Sequence, residues 1–244
     1  MSSLPQKSPS TTSAVDQSLT KGIVQRAVQV IGALLFYALL LFLSAGRLDW
    51  SAAWIYLAIS AAVILVNSTI LLSTKPAVIA ARGQLRQDAK EWDKQLTAIA
   101  AVLMLVALVI PGLDFRFGWS GSFPSALPIL GFVALALGYA LTSWAMIANP
   151  FFETRVRIQS DRGQTVTTSG PYRLVRHPGY VGMVLQSLGT PIGLASWWGL
   201  VPGVAVILAF IIRTALEDQT LQQELPGYSA YAQRVRYRLL PGVW

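Results

Sequence analysis

The chain of 244 residues contains no cysteine and a single histidine. The first absence excludes disulfides, thiolate nucleophiles and thiolate-held metals, and it leaves the redox compartment open. With only one imidazole as well, a zinc or haem centre has almost no ligands to draw on, so no metal is expected. Charge is scarce too: 12% of residues are charged against 54% hydrophobic, a balance more apolar than that of an ordinary soluble domain. No P-loop, no Gly-x-Gly-x-x-Gly fingerprint and no Gly-x-Ser-x-Gly elbow occurs, and no repeat of fixed period.

What the chain has instead is long apolar runs, at about 24–46, 51–73, 95–112 and 128–148. A hydrocarbon core about 30 Å thick needs roughly 20 such residues per helix. The expected fold class is therefore an all-α polytopic membrane protein, with four transmembrane helices over 23–150. Residues 1–22, "MSSLPQKSPSTTSAVDQSLTKG", are polar and Ser/Thr-rich and lack the apolar centre of a leader peptide; they are expected to form a disordered cytosolic tail.

The net charge of +8 invites a nucleic-acid reading, which the placement of the charges removes. Arg47 lies between the first two runs and Arg116 between the third and fourth. The other seventeen basic residues fall near the N-terminus, in 74–94, or beyond 150. Alternating the four runs across a bilayer puts those seventeen on one side, which the positive-inside rule assigns to the cytoplasm. Both termini are thus expected to be cytoplasmic, in a multi-pass protein of a bacterial inner membrane, with some attraction to anionic membrane lipid and no nucleic-acid partner. The stretch "KPAVIAARGQLRQDAKEWDKQ" mixes both signs and reads as a solvated or interfacial helix.

The character changes at Pro150, so 151–244 is set apart. "FFETRVRIQSDRGQTVTTSG" alternates polar and apolar residues on either side of the turn-forming "SDRGQ", which predicts a short cytosolic hairpin or paired extended strands. An apolar region from about 180 to 212 follows, interrupted by Gly189, Pro191, Gly193 and Pro202. It is too short for two full spans at roughly 20 residues each, and predicts a short helical hairpin bent near 189–196.

At the hairpin's exit, Arg213 and Glu217 stand at i and i+4 with Asp218 beside them. An exposed pair of this kind contributes only about 0.3–0.5 kcal/mol. At the end of a membrane helix, however, ionisable groups are costly and usually face a polar cavity, which topology places beside His177. His177 suits a turn histidine held by Pro178 as well as it suits a functional group. The C-terminal "YSAYAQRVRYRLLPGVW" has tyrosines, arginines and a final tryptophan that suit a helix in the headgroup zone.

Three elements in order, "SGPYRLVRHPGYVG", "RTALEDQTL" and "YSAYAQRVRYRLLPGVW", resemble the isoprenylcysteine carboxyl methyltransferase family and the related phospholipid methyltransferases. The likeness covers roughly 150–244. It implies S-adenosyl-L-methionine as cofactor and a C-terminal region that binds it, with a membrane hairpin and a cytosolic cofactor-binding segment. By motif, His177, Pro178, Gly179 and Tyr180 would border the cofactor, with Tyr172 just upstream. Gln164, Thr165, Val166 and Thr167 would line it through backbone groups. Glu217 matches the family's glutamate at the cofactor, and Arg213 the arginine that meets the substrate. The family's longer acidic cluster is reduced here to Glu217 and Asp218.

The implied activity is methylation of a lipophilic small-molecule or prenylated acceptor, foremost the carboxyl group of an isoprenylcysteine-like acid. Phospholipid N-methylation is the alternative within the same resemblance. Sterol-type membrane reductases share an Arg-His-x-Asn-Tyr-type motif and would bind NADPH, but Gly179 stands where they carry asparagine. A non-catalytic membrane scaffold is the remaining rival, against which the Arg213/Glu217 pair speaks.

Overall fold

The computed structural model describes residues 11–83 and 90–244. Eight α-helices account for most of them: α1 Thr11–Ala45, α2 Ser51–Thr74, α3 Pro76–Gly83, α4 Glu91–Phe117, α5 Leu127–Ala148, α6 Pro178–Gly193, α7 Leu200–Glu224 and α8 Tyr228–Arg234. Five of them, α1, α2, α4, α5 and α7, are long and apolar enough to cross a membrane. Their outward faces carry the side chains that a soluble core would hide. Val28, Ile31, Leu35, Leu39 and Leu43 recur every three to four residues along α1 and are all exposed.

Several expectations change. The tail predicted over 1–22 is helical from Thr11 onward; residues 1–10 lie outside the described ones. Once the apolar part of α1 is formed, extending a helix costs little per residue, even through serine and threonine. The loop predicted as a solvated or interfacial helix contains α3, which buries Val78, Ile79, Ala80 and Gly83 against α1. Close approach is what permits this: a Cβ on Gly22 would stand 2.8 Å from the Ala80 carbonyl oxygen. Its part at 84–89 lies outside the described residues. The hairpin over 180–212 has arms of 16 and 25 residues, because its second arm continues through the polar "RTALEDQTLQQE" to Glu224.

Among the described residues there is no strand. The alternating 151–169 stretch, predicted as a hairpin or paired strands, is irregular chain with a 3₁₀ turn at Ser160–Arg162. Its polar groups bond instead to side chains. Gln159 donates to the Phe151 carbonyl, and the Gln164 side chain accepts from the Gln159 N–H. A second 3₁₀ turn, Gly170–Arg173, leads into α6.

The helices alternate in direction, and two polar contacts mark the two ends. At one end Asp93, in the first turn of α4, bonds Arg213 late in α7. At the other, Asp114 near the end of α4 accepts from Ser120 and from Ser196 in the α6–α7 turn. The second end also carries the exposed Trp54, Trp119, Trp197 and Trp198, as expected where a bundle meets a headgroup layer. α5 and α6 pack with almost no side chain between them: a Cβ on Gly182 would come within 2.5 Å of the Gly138 carbonyl, and one on Gly138 within 2.6 Å of that of Gly182. Small residues of this kind let helices associate where lipid supplies no hydrophobic drive. That contact sets α6, and with it the start of the "RHPGY" motif, against α5.

Candidate functional site

Pro178 occupies the first turn of α6, where its missing N–H is not needed and its fixed φ is already helical. Gly179 follows, and a Cβ there would press on the Phe152 ring at 2.9 Å. The two residues before α6 are held by the C-terminal tail: the N–H groups of Arg176 and His177 donate to the carbonyls of Tyr237 and Arg238. The tail, expected as a helix, is helical only over Tyr228–Arg234 and then folds back onto this turn. Tyr228 and Tyr231 are buried while Tyr237 is exposed, and Tyr231 donates to the Tyr172 carbonyl at 2.7 Å.

Asp218 is the hub beneath this turn. It has no exposed surface, and accepts from Arg176 Nε (2.7 Å) and Nη2 (2.9 Å), Arg238 Nε (2.9 Å), Tyr228 Oη (2.9 Å) and Gln222 Nε2 (2.9 Å). His177 Nε2 lies 3.1 Å from the same carboxylate. Burial lowers the Arg176 guanidinium, but the Asp218 partner outweighs it and the net shift is upward. Burial, aided by the Asp218 charge, pushes the Tyr228 phenol well up, so it stays a donor. A buried carboxylate with this many partners is what makes a buried charge tolerable.

Glu217, one residue earlier on α7, faces a different way. It accepts from the Tyr180 hydroxyl, stands 3.9 Å from His177 Nδ1, and keeps about a quarter of its side chain exposed. His177 is thus lodged between the two acids. Arg213, one turn before Glu217, is not its ion-pair partner as the i,i+4 spacing predicts. Nε and Nη2 contact Asp93 at 2.8 and 2.7 Å, and Nη2 also donates to the Thr154 carbonyl. The guanidinium sits 5.6 Å over the Tyr180 ring. Asp93 has a second bond, from the Val156 N–H at 3.0 Å, so it ties the irregular segment to α4 and α7 together.

These groups surround a cavity of about 290 Å³, near the lower end of the roughly 300–1,000 Å³ usual for small-molecule sites. Gln164, Thr165, Val166, Thr167, Tyr172, His177, Gly179, Tyr180, Arg213 and Glu217 all line it; Pro178 does not, and shapes the turn instead. Among the described residues the backbone groups of Thr165, Val166 and Thr167 have no hydrogen-bond partner. Backbone polar groups left open along a cavity wall call for a ligand or water. Asn149, which ends α5, fixes this wall by donating to the Tyr172 hydroxyl and accepting from Thr167 Oγ1. Burial pushes the Tyr172 phenol up, against the opposing Asn149 bond. A smaller cavity of about 120 Å³, lined by Tyr37, Tyr56, Tyr139 and Gln186 among others, shares Met104 and Met183 with the first.

Asp93, Arg176, Tyr228, Arg238 and Asn149 carry roles that sequence reading missed. Only Arg176 had a signal, its place next to His177. Asp93 stands in a mixed-charge stretch where nothing distinguishes it from Asp88 or Glu91.

Fold and site define an all-helical membrane-type protein with an ion-lined cavity at one end of the bundle. Residues 127–226, which include α5 to α7 and most of the residues that line this cavity, match the phospholipid methyltransferase family. Among curated proteins, the chain is 29% identical over 145 residues to protein-S-isoprenylcysteine O-methyltransferase B of Arabidopsis thaliana, covering 57% of this chain and 70% of the relative. It is 28% identical over 109 residues to a probable protein-S-isoprenylcysteine O-methyltransferase of Oryza sativa subsp. indica, covering 43% and 57%. It is 31% identical over 136 residues to the cobalt-zinc-cadmium resistance protein CzcN of Cupriavidus metallidurans, covering 54% and 58%. The chain thus spans 57–70% of the length of these relatives. The resemblance to the isoprenylcysteine carboxyl methyltransferase family is borne out by these matches.

Proposed function

We propose that the protein is an integral-membrane, S-adenosyl-L-methionine-dependent methyltransferase that esterifies the carboxyl group of a lipophilic acid of the isoprenylcysteine type, at the cytoplasmic face of a bacterial inner membrane. The observation that carries this reading is one cavity holding an acid on α7, an imidazole and an unpartnered backbone run, in a chain similar to two proteins named as isoprenylcysteine O-methyltransferases.

The cavity suits the cofactor's donor needs. Glu217 offers a carboxylate to an ammonium, and the N–H groups of 165–167 offer donors to a carboxylate or an adenine edge. His177, held between Asp218 and Glu217, keeps the turn and the acid in register. Bound there, S-adenosyl-L-methionine would supply an electrophilic methyl group. The protein's share is alignment and exclusion of water. Arg213, with two of its nitrogens anchored by Asp93 and Thr154, presents Nη1 in a fixed direction toward an acidic acceptor. A carboxylate is ionised at neutral pH and needs no base to act as nucleophile. The apolar wall of Ala100, Ala101 and Met104 lies beside the site for the acceptor's chain, and the smaller cavity extends past Met104.

Phospholipid N-methylation is the second reading, favoured by the family match over 127–226. It requires a base for the amine proton. The two isoprenylcysteine O-methyltransferase relatives carry no name that points to hydride transfer from NADPH. Thermal stabilisation of the purified protein by S-adenosylhomocysteine and not by NADPH, followed by methyl transfer from labelled cofactor to an S-prenylated cysteine acid, is the expected result. Stabilisation by NADPH alone, or label recovered in phosphatidylethanolamine derivatives instead of an ester, overturns it.

A further inference from the structure

The arginines of the cavity are not all accounted for. Arg157 is held by Glu153 and Asp161, Arg176 by Asp218, and Arg213 by Asp93. Two others are not. Arg82, at the end of α3, lies 5.4 Å over the Phe152 ring and has no hydrogen bond among the described residues. Arg155 has a buried Nη1 with no acceptor among them. Both line the cavity. A desolvated cationic donor without an acceptor is costly, and its natural complement is an anion. Burial, with the Arg26 charge adding to it and Glu153 opposing, brings the Arg82 guanidinium down to about 9.

Position narrows the anion's source. Arg155 stands between Thr154, whose carbonyl receives Arg213, and Val156, whose N–H reaches Asp93. It therefore belongs to the part of the site that also fixes Arg213. Arg82 adjoins Phe152 of the same irregular segment, and the apolar residues contributed by α4 line the same cavity. The groups assigned to the cofactor sit at other points of the chain: Glu217 on α7, His177 immediately before α6, and 165–167 further along the irregular stretch that also carries Arg155.

We infer that Arg82 and Arg155 form an anion subsite for the acidic group of the acceptor, adding to the contact from Arg213. This rests on the reading of the protein as a methyltransferase of lipophilic acids and names the residues that select an acid over a neutral lipid. The same chemistry would suit the carboxylate of the cofactor, so the test separates the two sources. N-acetyl-S-farnesylcysteine serves as the acid probe and its carboxamide as the neutral competitor, on the full-length protein in lipid nanodiscs. Arg82→Gln and Arg155→Gln should each raise KM for the acid about tenfold, the loss of one charge-assisted hydrogen bond, with kcat little changed. Carboxamide inhibition and calorimetric affinity for S-adenosylhomocysteine should stay at wild-type values. Arg→Lys at either position should recover part of the loss, because the charge remains while the planar fork does not. An unchanged KM in both glutamine variants overturns the inference. So does a parallel fall in S-adenosylhomocysteine affinity, which would place the anion on the cofactor. A wild-type protein that leaves the acid unmethylated sinks the functional reading itself, an outcome visible before any variant is compared.

Discussion

Glu217 and Asp218 are neighbours in sequence and opposites in setting, so exchanging each for its amide separates binding from folding. Glu217→Gln keeps a carbonyl oxygen where the Tyr180 hydroxyl donates, so the internal bond survives. What disappears is a negative charge on a side chain about one quarter exposed in the cavity. A hydrogen bond to a charged group contributes about 1.5–3 kcal/mol; partial exposure favours the lower half of that range, or about ten- to thirtyfold in affinity at 1.4 kcal/mol per decade. Isothermal titration with S-adenosylhomocysteine should show this loss, with a thermal midpoint close to wild type. Asp218→Asn should do the reverse. It leaves Arg176, with its side chain only 6% exposed, without its counter-charge, and weakens the pairings with Arg238 and His177. Breaking a buried pair from one side costs roughly 3–5 kcal/mol, enough to lower the midpoint sharply or to prevent isolation of folded protein. Unchanged cofactor affinity in Glu217→Gln refutes the role given to Glu217. A stable Asp218→Asn protein would mean that the network is wetter than the structure implies.

Arg213→Lys should leave S-adenosylhomocysteine affinity near wild type and cut turnover about a hundredfold, because one ammonium cannot meet Asp93, the Thr154 carbonyl and the acceptor with fixed geometry; equal turnover removes Arg213 from the reaction. Asp93→Asn should mimic that loss through Arg213 and also loosen the 154–156 segment, seen as faster amide exchange at Val156. Gly182→Ala should destabilise the fold by about 1–3 kcal/mol, since its Cβ would meet the Gly138 carbonyl, which is backbone and cannot swing aside. Reporter fusions at either terminus should both report the cytoplasmic side; an external report from either one contradicts the topology.

The apolar runs, their alternation and the basic bias could be read from the sequence because they are one-dimensional properties: a helix that spans lipid must be apolar along its own length, whatever it packs against. The position of the cavity was legible for a related reason. "RHPGY" places a proline where a helix starts, and "RTALEDQ" places charges where an apolar helix ends, so both mark the polar boundary of the bundle. Pairing across the fold was not legible. The i,i+4 spacing suggested Arg213 with Glu217, yet the tertiary structure gives Arg213 to Asp93, 120 residues away, and Glu217 to Tyr180. The alternating pattern of 151–169 suggested strands, but its backbone groups bond to side chains or border the cavity. Local pattern decides which residues sit at the interface. Which cation meets which acid depends on helix directions and on glycine contacts such as Gly138 with Gly182, whose closeness exists only once α5 and α6 have come together.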